Sequence, residues 1–148
     1  MDKCAEARRR AAKPIRGGRN LFDLFTKISK ESARQLSPVT LAFVGDAVYS
    51  LYVREREVLR SDDKLSELQK RTSAAVSAKG QSDLLMEIES RFTPEEEEIF
   101  HRGRNAKKST KAKNASVVDY NRSTGFEAVL GFLYLSGQYE RIARLLEE

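Results

Sequence analysis

Apolar residues recur along this chain at the period of an α-helix and nowhere at the period of a strand. Leu41, Val44, Val48, Leu51, Tyr52 and Leu59 line one helical face. Ser37-Pro38 begins that helix with a capping hydroxyl and a proline at the first helical position, and it runs to about Arg60. Leu21, Phe22, Leu24, Phe25 and Ile28 predict a short amphipathic helix before it. Asp62-Asp63 would cap a following helix with Leu65 and Leu68, then a short Ala74-Ala75-Val76 stretch leads to one with Leu84, Leu85, Ile88 and Phe92. Thr93-Pro94 before Glu95-Glu96-Glu97-Glu98 combines a cap, a first-position proline and acids at the positive end of the helix dipole. That acidic run is a helix entry rather than a metal site, and it leads Ile99 and Phe100 into the core. A long apolar helix spans Val117 to Ser136 with Phe126, Val129, Leu130, Leu133 and Tyr134; Gly137 stops it, and Ile142, Leu145 and Leu146 mark a last one. With no alternating segment and no internal repeat, the fold class is all-α.

At 148 residues the chain can form one domain and bury roughly 68–70% of its unfolded surface. One Cys (Cys4) and one His (His101) exclude an internal disulfide, a zinc site of the usual kind and a Cys–His nucleophile with spare parts. A bound metal would have to be a hard ion held by carboxylates and water. His101 is not needed as a base beside such an ion. No run of about 18 apolar residues would span a membrane, and the N-terminus lacks the apolar core of a secretory signal. Asp2 and Glu6 count against an organelle transit peptide, which leaves the cytoplasm as the expected compartment.

The formal charge of +5 resides in one place. Met1–Arg19 carries seven basic residues against Asp2 and Glu6, a net +5, so the remainder is neutral. Residues 1–19 are therefore expected to be a disordered basic tail ending near Gly17-Gly18, and 20–148 the folded domain. Within that neutral body the segment Arg102–Asn114 holds six basic residues and no acid, and is expected to be a mobile basic loop.

Two acids lie inside otherwise apolar helices: Asp46 in Leu41-Ala42-Phe43-Val44-Gly45-Asp46-Ala47-Val48-Tyr49, and Glu127 in Thr124-Gly125-Phe126-Glu127-Ala128-Val129-Leu130-Gly131-Phe132. Such a carboxylate is costly unless it reaches solvent, pairs with a cation such as Arg122, or binds a metal. Nearby Gly45 and Gly131 each cost about 1 kcal/mol of helix propensity. Two helices crossing closely at those glycines would account for that cost.

The segment Leu41–Tyr49 resembles the signature helix of the ribonuclease III catalytic domain, and Thr124–Leu135 resembles that family's second acidic helix. Between them, Ala74-Ala75-Val76-Ser77-Ala78-Lys79-Gly80-Gln81 and Arg102-Gly103-Arg104-Asn105-Ala106-Lys107 are similar to the Mini-ribonuclease III branch. The resemblance runs from about Leu36 to Glu147 in the family's order. It implies an all-helical homodimeric endonuclease without a separate double-stranded RNA-binding domain. The expected reaction is Mg²⁺-dependent cleavage of double-stranded RNA, with Mn²⁺ able to substitute, in maturation of large-subunit (23S) ribosomal RNA. No membrane partner and no small-molecule cofactor is implied.

Residue by residue, the resemblance makes Asp46 and Glu127 the catalytic, metal-holding pair. Two further acids of the larger enzymes are replaced here by Ala42 and Thr124, a reduction shared with the Mini-ribonuclease III branch. Thr124 could hydrogen-bond a water of the ion. A-form RNA is met through phosphates and 2′-hydroxyls, which suits Arg102, Arg104, Asn105, Lys107 and Lys108, with Lys79 a weaker candidate. Tyr49, Tyr52 and Phe43 are expected in the core or a dimer contact rather than as base-stacking platforms. The alternative is a non-catalytic double-stranded RNA-binding or ribosome-associated module of the same fold.

Overall fold

The computed structural model describes residues 27–108 and 116–147. The basic tail with Cys4 and Gly17-Gly18, the apolar run Leu21–Phe25, and Lys111 and Lys113 lie outside the described residues. Seven α-helices are described: α1 (Lys30–Arg34), α2 (Pro38–Arg60), α3 (Leu65–Val76), α4 (Ala78–Ile88), α5 (Pro94–Asn105), α6 (Val117–Leu135) and α7 (Tyr139–Leu146), with a 3₁₀ turn at Glu89–Arg91. No strand occurs among the described residues.

Helix α6 is the axis of the domain, packed against α2, α5 and α4 and more lightly against α7 and α1. From Ser123 to Leu133 every residue except Glu127 is buried. A helix buried all round belongs in the middle of a bundle, and Glu127 is the one residue of that stretch with partial access to solvent. Around it Leu41, Val53, Leu85, Ile88, Ile99 and Leu145 close the core. Tyr49 meets Phe126 edge-on at 5.1 Å between ring centres, and the Tyr52 hydroxyl donates to the Leu146 carbonyl at 3.2 Å. Phe43 instead stands exposed.

The helix starts follow local chemistry. Ser37 accepts from the Thr40 amide, and Thr93 and Glu96 form a reciprocal capping box. Gly137 adopts a φ of 73°, the left-handed conformation that ends α6 cheaply only for glycine. Elsewhere the structure departs from the local signals. Asp62-Asp63 does not cap α3, whose N-cap is Lys64 without a side-chain bond; Asp63 instead pairs with Arg71 at 3.0 Å. Ala74-Ala75-Val76 is the last turn of α3 rather than a separate stretch. Phe92 lies past the 3₁₀ turn, outside α4. Ile28 is not helical: its amide donates to the Leu135 carbonyl at 2.9 Å, and Ser29 caps the unforeseen α1. The long α6 ends at Leu135 with Ser136 as its C-cap.

Candidate active site

Helices α2 and α6 meet backbone to backbone at two glycines. A Cβ on Gly45 would fall on the Glu127 carbonyl, and one on Gly131 would fall on the carbonyl of Leu41. Only glycine permits that approach, so the propensity lost at both positions makes room for the crossing. Asp46, the next residue of α2, therefore stands beside Glu127 of α6. Asp46 is exposed, Glu127 half-buried.

Neither acid forms an ion pair among the described residues. Arg122, the cation that could have neutralised Glu127, bonds to Ser82 at 3.1 Å and Glu89 at 3.3 Å instead. The partner of Glu127 is Gln81 of α4, whose Nε2 donates to Glu127 Oε1 at 2.9 Å. Burial pushes the Glu127 carboxyl up to about 7, opposed by the Gln81 bond and reinforced by the charge of Asp46. Among the described residues no group of three or more His, Cys, Asp or Glu could hold a metal, so the acids stand as a pair.

This raised pKa has a consequence for stability. A carboxyl with a folded-state pKa above its unfolded value binds its proton more tightly when folded. Its contribution is fully present below about 4.5 and is lost as pH rises through about 7. In chelator, urea melts of the metal-free protein should show a stability loss from this group of about 3 kcal/mol at most between pH 4.5 and 8. Glu127→Gln should lack that loss; an identical pH profile in both proteins would contradict it.

The positions where the larger enzymes carry additional acids are closed. Ala42 is buried in the α2 face of the core, and Thr124 is 6% exposed with its hydroxyl donating to the Tyr120 carbonyl at 2.9 Å. Thr124 sits one turn before Glu127, and its oxygen retains acceptor capacity.

The cations of the Arg102–Asn114 segment are divided in their roles. Arg102, Arg104 and Asn105 belong to the last turn of α5, not to a loop. Gly103 within that turn is buried against Gly125 of α6. Arg102 donates to the carbonyls of Arg34 at 2.9 Å and Leu36 at 3.2 Å, which ties α5 to the end of α1. Lys108 donates to the Ala106 carbonyl and to Asn121 Oδ1, both at 3.0 Å, and lies over the Tyr120 ring. Burial lowers its pKa. Arg104 covers the Phe100 ring and bonds Asn105 at 3.2 Å, whereas Lys107 is exposed with no bond among the described residues. Lys79 pairs with Asp83 at 2.9 Å in the first turns of α4. His101 faces Glu97 and the Phe100 ring.

Gln81 ends the Ala74–Gln81 segment, and the sequence alone assigns it no role. The signal in the sequence is an amide in the first turn of a helix. Nothing local to that segment shows that it faces Glu127, 46 residues away.

A helical domain with paired acids where two glycines bring helices together matches the ribonuclease III domain model over residues 39–138. The chain is 44% identical over 120 residues to Mini-ribonuclease 3 of Thermoanaerobacter sp. (strain X514), covering 81% of this chain and 84% of that one. It is 48% identical over 116 residues to Mini-ribonuclease 3 of Staphylococcus aureus, covering 76% and 86%. Among solved structures, a Fusobacterium nucleatum protein superimposes with a TM-score of 0.69 at 32% identity, covering 76% of this chain and 90% of that one. The chain belongs to the ribonuclease III family, in its Mini-ribonuclease 3 branch. It is an endoribonuclease, which sets aside the non-catalytic alternative, and RNA is its substrate. No helix among the described residues is long and apolar enough to cross a membrane.

Proposed function

We propose that this enzyme cuts double-stranded RNA at the Asp46–Glu127 pair, with Mg²⁺ as its ion and Mn²⁺ able to substitute. The observation that carries this reading is the glycine-lined crossing of α2 and α6, with Asp46 beside Glu127. Two neighbouring carboxylates with no ion-pair partner among the described residues, one driven toward neutrality by burial and by the other's charge, are a donor set that a hard divalent ion fits. Asp46 and Glu127 would hold it. When bound, such an ion polarises water and neutralises charge developing on a scissile phosphate.

The chain's own groups do the rest. Gly45 and Gly131 hold the two acid-bearing helices in register. The oxygen of Thr124 is available to accept a hydrogen bond from a water near Glu127. Lys107, Arg104 and Asn105, at the end of α5, are the groups best placed to meet phosphate and 2′-hydroxyls, and Lys79 of α4 is a further phosphate contact. Arg102 and Lys108 contribute mainly by holding that end of α5 in shape. If so, Lys107→Ala lowers the salt slope of RNA binding by about one unit, while Arg102→Ala costs stability instead. An unchanged slope for Lys107→Ala would refute its phosphate contact.

We further read the active form as a homodimer. Val39, Phe43, Ala47 and Leu51 form an exposed apolar stripe along α2 at four-residue spacing, with Phe43 82% exposed. A second copy covering that stripe would set two Asp46–Glu127 sites on one duplex, one for each strand. Under this reading residues 20–148 are the catalytic domain and 1–19 an appended basic segment. The enzyme works in the cytoplasm on the precursor of large-subunit ribosomal RNA.

The direct test is incubation of the full chain with long double-stranded RNA, with Mg²⁺ or with chelator. Fragments bearing 5′-phosphate should form only with the ion. RNA binding without cleavage in Mg²⁺ would overturn the proposal.

A further inference from the structure

The α3–α4 junction is built so that one buried amide faces the acidic pair. Ser77 caps α4 by accepting from the Gly80 amide at 3.0 Å, and its own hydroxyl donates to the Ala74 carbonyl at 2.7 Å. A Cβ on Gly80 would fall on that same Ala74 carbonyl, so glycine lets the first turn of α4 fold back on the last turn of α3. The fold-back brings the Val76 carbonyl to the side chain of Gln81, which is 1% exposed.

Gln81 Nε2 donates twice, to the Val76 carbonyl at 3.0 Å and to Glu127 Oε1 at 2.9 Å. Its Oε1 is buried with no partner. Buried polar atoms are rarely left unpaired, and an unpaired atom beside a functional group calls for an explanation. Turning the amide over would not repair the defect, because Oε1 would then face the Val76 carbonyl, which can only accept. Val76 thus fixes which end of the amide meets Glu127, whatever the charge on the acid. A neutral donor also leaves the carboxylate its full charge, where Lys or Arg would neutralise it.

On the reading that Asp46 and Glu127 hold a divalent ion, we propose that Gln81 is the positioning residue of that site. It anchors Glu127 Oε1 and leaves Oε2 as the ligand beside Asp46. Glu127 Oε2 fits that role, since it accepts no hydrogen bond among the described residues and is not among the buried unpaired atoms. Gln81 touches neither substrate nor the reacting atoms in this assignment; it acts through Glu127.

The test is Mn²⁺ binding to the full chain without RNA, followed by the resonance signal of free Mn²⁺. Gln81→Leu, which removes the unpaired Oε1 along with the donor, should weaken Mn²⁺ binding 10–100-fold. RNA affinity in chelator should stay unchanged. Gln81→Glu, which puts a third acid in the site without the donor, should lose RNA cleavage at low Mg²⁺ and bind Mn²⁺ with a changed pH profile. In the wild-type protein, Mg²⁺ should shift the side-chain NH₂ resonances of Gln81, a measurement that needs no variant to fold. Wild-type Mn²⁺ affinity in a folded Gln81→Leu, or unmoved Gln81 resonances on Mg²⁺ saturation, overturns the positioning role alone. Absence of Mn²⁺ binding by the wild-type chain overturns the metal site and the positioning role together.

Discussion

Asp46→Asn and Glu127→Gln should each abolish RNA cleavage, with rates falling by about 10³-fold or more. A bound ion contributes several kcal/mol of charge stabilisation at the reacting phosphate, and about 4 kcal/mol corresponds to that factor. Each substitution removes one of the two acids found at the α2–α6 crossing among the described residues and keeps nearly the same volume. Neither should unfold the protein. Asp46 is exposed, and an amide at position 127 can still accept from Gln81 Nε2 through its own carbonyl oxygen. Single-turnover rates in saturating Mg²⁺, with melting curves and RNA affinity in chelator, separate the outcomes. Wild-type rates in either folded variant would remove that acid from the site.

Arg141→Ala costs about 3–5 kcal/mol of stability, the usual penalty for leaving one half of a buried ion pair. Glu96 is 2% exposed, and its carboxylate is fully engaged. Oε2 accepts from the Thr93 amide and from Arg141 Nη2, both at 2.9 Å, and Oε1 accepts from Arg141 Nε at 2.7 Å. Arg141 also donates to the Arg91 carbonyl at 2.7 Å, so α7, the 3₁₀ turn and the start of α5 share one guanidinium. Hydrogen bonding to Glu96 raises the Arg141 pKa, as a preserved pair requires. At about 2–4 °C per kcal/mol, the melting temperature should fall by roughly 10 °C. Adding Glu96→Gln should restore part of that loss by removing the orphaned charge. A loss under about 1 kcal/mol in urea melts would mean that solvent replaces the pair.

Much of the architecture was legible because its causes are local. Ser37-Pro38, Thr93-Pro94 with its acidic first turn, and Gly137 are start and stop signals whose partners lie within four residues. The two misplaced acids and the two expensive glycines also pointed to one helix crossing, since each was out of keeping with its neighbours. Local signals fail where they meet a distant competitor. Asp62-Asp63 had the chemistry of a cap, but Asp63 is taken by Arg71. The Arg102–Asn114 segment read as a uniform basic loop. Its first turn is helical because Gly103 can pack on Gly125, and Arg102 is committed to the carbonyls at the end of α1.

By itself, then, the sequence determined six of the seven described helices, most of their ends, and the pair of acids that a family of nucleases would need. Tertiary structure decided which of those groups is free to act. Helical period and capping depend on residues three or four apart, so the order of residues carries them directly. Burial, the choice of an amide partner for Glu127, and the division of cations between scaffold and surface depend on groups tens of residues apart. Those contacts exist only once α2, α4 and α5 have closed around α6.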